Sequence, residues 1–127
     1  MAELLYKELA FQVIGAAMEV HKLIGPGFPE EVYQKSLERE FTLRKIAFVS
    51  QQRITVIYKD VMVAEYFLDI VVDGKVDLEL KAVSQLAPVH ESQVLSYLKA
   101  SGLHLGILMN FGETSLKTKR IAFSLTK

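Results

Sequence analysis

The rhythm of hydrophobic and polar positions changes several times along the chain, and each change marks an element. Between residues 3 and 23, Leu9, Val13 and Ala17 fall on one row, with Ile14, Met18 and His21 on the next. That three-to-four spacing predicts a long amphipathic helix, with His21 as a hydrogen-bonded core histidine near its end. Gly25-Pro26-Gly27 breaks it. Phe28-Pro29-Glu30 starts a second helix that runs to about Arg44, because proline loses nothing in a first turn where its missing N–H has no partner anyway. Glu30, Tyr33 and Leu37 share a stripe of this helix. By itself an acid in a first turn reads as a complement to the helix dipole.

The period then drops to two. Arg53 to Tyr58 is rich in β-branched residues, Lys59-Asp60 turns the chain, and a strand follows from Val61 to Val72. Asp73-Gly74 leads into a third strand, where Asp77, Glu79 and Lys81 alternate with Val76, Leu78, Leu80 and Ala82. Alternation puts the charged set on one face and the apolar set on the other. Asp69 interrupts an otherwise apolar run, at a cost in strand propensity and burial that needs a reason.

Register supplies one. A two-residue turn at Asp73-Gly74 would put Asp69 on the face of Leu78. A three-residue loop of Asp73, Gly74 and Lys75, with Gly74 left-handed, pairs Asp69 with Glu79 and sets Leu68, Ile70 and Val72 against Val76, Leu78 and Leu80. Burial of one face favours the second register, or an equivalent bulge. Asp69, Glu79 and Lys81 then converge on one side of the sheet. Carboxylate oxygens suit a hard divalent ion, and an adjacent lysine can orient water or meet phosphoryl charge. The bland alternative is a solvated charged face.

Pro88 opens a helix of about 13 residues that ends at Ser101-Gly102. Leu95 and Leu98, with Val94, supply its apolar face, while His90, Gln93 and Tyr97 form a second stripe. Leu103 to Phe111 is nearly all apolar, as a strand buried on both faces would be. Strand, helix, strand at this length implies a right-handed crossover and parallel pairing of 76–82 with 104–110. Gly112 to Lys119 reads as a loop whose Lys117, Lys119 and neighbouring Arg120 are simply solvated, and 120–126 as a last edge strand.

At 127 residues the chain is expected to form one domain spanning 1–127. It has no cysteine, which excludes disulfides, thiolate metal sites and a cysteine nucleophile. Formal net charge is zero, whereas domains devoted to nonspecific DNA binding are usually basic. No apolar run reaches the roughly 18 residues of a membrane span, and the first residues lack a signal-peptide pattern, so a cytoplasmic location without membrane partners is expected. No phosphate-binding loop, zinc finger or nucleophile elbow is present.

Helix, three-stranded meander with Asp…Glu-x-Lys, helix and strand is the core order of the PD-(D/E)XK nuclease superfamily. More closely, the chain resembles the small GxxExxY family placed within it. The residues carrying the resemblance are Gly27-Phe-Pro-Glu30-Glu-Val-Tyr33, Leu68-Asp69-Ile-Val-Val, Leu78-Glu79-Leu-Lys81-Ala-Val, His90-Glu-Ser-Gln93-Val-Leu-Ser-Tyr97 and Leu105-Gly-Ile-Leu-Met-Asn110-Phe-Gly. They span about residues 10 to 122. Phe28-Pro29 stands where members often have two aliphatic residues, and Phe67 where many have a basic one.

The resemblance implies an α/β, restriction-endonuclease-like fold: a mixed sheet of four to five strands flanked by helices, in the order α-α-β-β-β-α-β-β. It implies a magnesium-dependent nuclease acting on DNA or RNA, with manganese able to replace magnesium. Asp69 and Glu79, with Glu30 as an extra helical acid, would hold metal, and Lys81 would position water. Gln93 and Tyr97 match the Gln-x-x-x-Tyr motif of RecB-type exonucleases and would support the site and the nucleic-acid backbone, with His90 a weaker candidate. Tyr33 and Gly27 would be structural. Without a cation, Asp69 and Glu79 would repel, which raises one carboxyl's pKa, and Lys81 beside them suits an electrostatic clamp better than a general base. The alternatives are a catalytically inactive module of the same fold that binds nucleic acid or a protein partner, and a purely structural protein. An exposed apolar patch at the C-terminal strand would favour a homodimer under either functional reading.

Overall fold

The computed structural model describes residues 5–124. Helices α1 (Lys7–Ile24) and α2 (Glu30–Arg44) precede strands β1 (Phe48–Tyr58), β2 (Val61–Val72) and β3 (Val76–Lys81). Helix α3 (Pro88–Ser101), strand β4 (Leu105–Asn110) and strand β5 (Lys117–Ala122) complete the chain. The sheet runs β1-β2-β3-β4-β5, antiparallel everywhere except for the β3–β4 pair that α3 connects. This is the expected mixed sheet in the expected element order.

The sheet has a helical layer on each face. Ala10, Val13, Ala17, Tyr33, Leu37 and Phe41 of α1 and α2 bury one face of the sheet, against Ile70, Val72, Val76, Leu78, Leu80, Ile107 and Met109. On the other face, α3 packs Val94 and Leu98 on Leu108, and Tyr97 against the cluster of Ile54, Leu68 and Val71. Val94 and Leu98 are fully buried, while Leu95 is only partly so. The row of α3 that meets the sheet is that of Val94 and Leu98.

The three-residue loop sets the register of the central hairpin. Val72 pairs with Val76 and Ile70 with Leu78, leaving Asp73, Gly74 and Lys75 as the loop, with Gly74 at φ 65°. Other boundaries moved. Strand β1 begins at Phe48 instead of Arg53, because backbone pairing with β2 continues through Ser50 and Gln52 despite their polar side chains. Strand β5 occupies 117–122 instead of 120–126, since Lys117 pairs with Asn110 and Ala122 with Leu105. Residues 125 and 126 of the expected strand, and residues 3 and 4 of the expected first helix, lie outside the described residues. Pro29 precedes α2 as its N-cap, one position before the first turn.

His21 is a core histidine, with Nε2 at 2.8 Å from the carbonyl oxygen of Glu113, which requires a proton on Nε2. The basic cluster near β5 is engaged: Lys119 pairs with Glu91 at 3.2 Å, and Arg120 donates to the carbonyl of Leu5 at 2.9 Å.

The ends of β3 and β4 are tied together by Asn110, which is fully buried. Its Oδ1 accepts from the N–H groups of Val83 and Gly112, both at 3.0 Å. Its Nδ2 donates to the carbonyl of Val83 at 2.9 Å and to Glu113 at 2.8 Å. The tie leaves no room beside Gly112, where a Cβ would lie 2.3 Å from the Val83 carbonyl oxygen and 2.5 Å from its nitrogen. Those are backbone atoms and cannot rotate away. Gly112→Ala is therefore expected to destabilise the fold by at least ~2 kcal/mol, measured by urea unfolding; a midpoint equal to wild type would disprove the tight approach.

Candidate active site

The sequence builds a gap into the sheet where β2 and β3 part. Pairing between them ends at Ile70 and Leu78. Opposite this point on β1, Gln51 takes a left-handed conformation, φ 52°, and the β1–β2 ladder skips from the Ser50–Ile70 pair to Gln52–Leu68. Leu68 and Ile70 consequently bury against different helical layers, although plain alternation would set them on one face. The distortion is secured from α2, where Gln34 Nε2 donates to the Asp69 carbonyl at 2.8 Å and Gln34 Oε1 accepts from Gln51 at 3.1 Å.

Asp69 sits in this gap, and carboxylates replace the missing ladder bonds. The Leu80 N–H donates to Asp69 Oδ2 at 2.8 Å, and the Asp69 N–H reaches Glu79 Oε2 at 3.4 Å. The Gln51 side chain also bonds the Asp69 carboxylate. Asp69 and Glu79 thus meet across the strands as their register requires, joined through side chains where the backbone pairing has stopped.

The charged face of β3 is not solvated. Asp77 is 0% and Glu79 3% exposed. Asp77 faces Val71 on one neighbouring strand and Gly106 on the other, and neither offers a polar side chain. Its two oxygens meet no N–H or O–H donor. The acid that reaches it is Glu79, and two ionised carboxylates cannot hydrogen-bond. With a proton on Glu79 the contact becomes a carboxyl-to-carboxylate bond. Burial, then the bond and charge of Asp77, push Glu79 up to about 12. Burial likewise pushes Asp77 up to about 6, although Glu79's proton works against it. Asp69 is raised by burial, opposed by the Leu80 N–H and Lys81.

Helix α3 supplies the other wall. Lys81, at the end of β3, donates from Nζ to Gln93 Oε1 at 3.0 Å. One turn further, the Tyr97 ring lies 5.4 Å from Tyr66 of β2, and its hydroxyl pKa is raised first by burial. His90 serves the helix itself, since its Nδ1 accepts from the Ala87 N–H at 2.9 Å and caps α3.

Glu30 approaches from the opposite layer. Gly27 adopts φ 112°, a conformation that excludes side chains. Tyr33, buried and stacked on Phe111 at 4.8 Å, donates to the Gly25 carbonyl at 2.6 Å and accepts from the Phe28 N–H at 3.1 Å. Glycine and tyrosine thereby fix the turn that delivers Glu30 at the first position of α2. Glu30 stays open to solvent, but partial burial raises its pKa against the opposing pull of Lys81, with Asp69 and His90 also within range.

The structure therefore gathers Asp69, Glu79, Lys81, Gln93 and Tyr97 beneath α3, with Glu30 at the rim. Sequence reasoning passed over Asp77, although its place two residues before Glu79 put it on the same face. It also passed over Gln34 and Gln51, which shape the gap, and Tyr66. Among the described residues, no three His, Cys, Asp or Glu side chains form a preassembled metal cage, and no helix is long and apolar enough to cross a membrane.

Searches of curated proteins and of solved structures return no significant match. The family model of the PD-(D/E)XK nuclease superfamily matches residues 7–121, from the first turn of α1 into β5. With that match and this architecture, the chain belongs to the PD-(D/E)XK nuclease superfamily.

Proposed function

We propose that the protein is a divalent-cation-dependent nuclease of the GxxExxY type, hydrolysing phosphodiester bonds of DNA or RNA in the cytoplasm. The observation that carries this reading is the acid cluster. Asp69, Asp77 and Glu79 lie together beneath α3, neither oxygen of Asp77 meets a donor, and burial raises the pKa of all three. Such a cluster is a deficit of positive charge built into the fold. The all-oxygen donor set suits magnesium or manganese, which bind through one or two carboxylates and keep several waters. Asp69 and Glu79 would be the ligands, with Glu30 reaching in from α2 directly or through water. When bound, the ion supplies Lewis acidity and a more acidic water.

The chain's own residues do the rest. Asp69 is held by the Leu80 N–H, so its free oxygen keeps a fixed direction. Lys81, steadied by Gln93, presents Nζ protons where phosphoryl charge or an attacking water would sit. Tyr97 packs beside Tyr66 and against Ile54, Leu68 and Val71, forming part of the wall on the α3 side. A second reading, a module that binds without cleaving, draws on the zero net charge and on the lack of a preassembled cage among the described residues.

Titration calorimetry with magnesium and manganese separates the two, run on wild type and on Asp69→Ala/Glu79→Ala beside a cleavage assay on mixed DNA and RNA. The nuclease reading expects saturable binding that the double variant loses, together with metal-dependent cleavage. Binding without cleavage of any substrate would favour the module. No binding by wild type at several millimolar, even with nucleic acid present, would end the metal-site reading.

A further inference from the structure

The proposed metal site needs Asp69 to keep one orientation, and the strand beside it supplies the means. We propose that Gln51 is a positioning residue for Asp69. Its strained backbone on β1 and its bond to Gln34 of α2 aim its amide at the carboxylate that would meet the ion. The inference rests on the proposed nuclease reading for its chemistry, while the hold on Asp69 is read without metal.

The backbone comes first. Gln51 adopts φ 52°, a left-handed conformation that glycine takes freely and that asparagine and aspartate enter more readily than glutamine. Such strain persists only where the surroundings hold it, and it gathers at functional sites. Here the bulge drops Gln51 out of the ladder between the Ser50–Ile70 and Gln52–Leu68 pairs, and the β2 residue left unpaired opposite it is Asp69. The neighbouring Ser50 is fastened to α2, donating to Glu38 Oε2 at 2.7 Å.

The hydrogen bonds then assign the amide. Gln34 Nε2 donates to the Asp69 carbonyl at 2.8 Å and to Glu38 Oε2 at 3.1 Å. Both of its protons are used, and Gln34 Oε1 accepts from Gln51 Nε2 at 3.1 Å. Gln51 Nε2 keeps one N–H, and this side chain bonds the Asp69 carboxylate. One frame thereby grips the backbone and the side chain of Asp69 together. Gln34 lies one turn beyond Glu30 on α2 and on the same face, so the frame also ties Asp69 to the helix that carries the rim acid.

A second hold is needed because the first leaves a freedom. The Leu80 N–H donates to Asp69 Oδ2 at 2.8 Å, but the last torsion of an aspartate is broad, and one bond lets the carboxylate turn. Donors from two strands fix its plane. An uncharged donor suits the task, since a lysine there would compete with a cation for the carboxylate. An amide N–H steers an oxygen and leaves the charge for the ion.

Gln51→Gly separates the two roles, because it relieves the backbone and deletes the amide. It should melt within a few degrees of wild type, since relief of strain offsets the greater freedom of glycine in the unfolded chain. In the metal-free protein, amide exchange followed by NMR should speed at least about tenfold at Leu80, as Asp69 turns away from it, while the amides of β4 keep their protection. By calorimetry, the dissociation constants for magnesium and manganese should rise about 10–100-fold. With metal in excess, kcat should return to within about threefold of wild type, because a bound ion itself holds Asp69. Gln34→Leu should cause the same losses, and the double variant little more, since the two amides act as one unit. Unchanged Leu80 exchange overturns the proposal, as does an unchanged affinity in folded Gln51→Gly when wild type binds metal. If wild type binds no metal while Leu80 exchange still speeds in the variant, the metal-site reading fails and the positioning stands. If wild type binds and cleaves and both variants match it, the positioning fails and the nuclease stands.

Discussion

Glu79→Gln is expected to stabilise the metal-free protein at pH 8 by about 1–3 kcal/mol while removing the proposed cleavage activity. The sign follows from where the protons sit. Glu79 is pushed from 4.5 up to about 12 and Asp77 from 3.8 to about 6, so from about pH 4 upward the folded protein holds more protons than the unfolded chain. Unfolding free energy must then fall as pH rises. The fall is steepest to about pH 6, while both groups differ between states, and it continues through neutral pH because Glu79 alone still does. Glutamine has no proton to lose, and its amide N–H donates to Asp77 as the protonated acid did. Its melting temperature should therefore exceed wild type by several degrees at pH 8 and converge with it near pH 4. Magnesium should raise the melting temperature of wild type and leave that of the variant nearly unchanged. Equal melting temperatures at pH 8, with equal dependence on pH, would mean that Glu79 ionises freely.

Lys81→Met is expected to lower kcat by about 10²–10⁴ with a much smaller change in KM. Lys81 is the cation that offsets both Asp69 and Glu30, and Gln93 holds its Nζ at 3.0 Å. A positioned positive charge acts mainly where negative charge grows between ground and transition states, so its removal shows in the chemical step more than in binding. Methionine keeps much of the apolar stem, and Lys81 lies at the edge of the core, so folding should survive. Steady-state kinetics on a cleavable oligonucleotide checks this. A loss below about fivefold in kcat would remove Lys81 from the chemistry and leave it as a partner for Gln93.

Much of this arrangement was legible because it depends on local chemistry. Asp69 and Glu79 are ten residues apart across one loop, and the requirement to bury Ile70, Val72, Val76 and Leu78 together leaves a single register. Helix α3 announced itself through Pro88 and Gly102, both of which sit at its ends. What escaped was long-range. Asp77 looked like another solvated acid because its isolation is created by Val71 and by Gly106 of a strand that lies beyond α3. The start of β1 was hidden by Ser50, Gln51 and Gln52, whose backbones pair or bulge for reasons their side chains do not advertise. The edge strand β5 was misplaced because Lys117-Thr118-Lys119 is polar, and its boundaries follow the backbone of β4.

Strand β3 carries a further consequence, one for how such a protein can change over generations. Its six residues serve two masters in strict turn: Val76, Leu78 and Leu80 fill the interior, while Asp77, Glu79 and Lys81 furnish the cleft. Deleting a single residue from the loop before it would exchange the two sets, turning three charges into the apolar core under α1 and α2 and emptying the cleft at once. Such a lineage would lose its folded protein together with its chemistry, and no intermediate would survive to be repaired. Single substitutions behave differently, since an acid exchanged for its amide leaves the interior untouched. Descendants of this architecture can fall silent one side chain at a time and keep their shape, but they cannot slide.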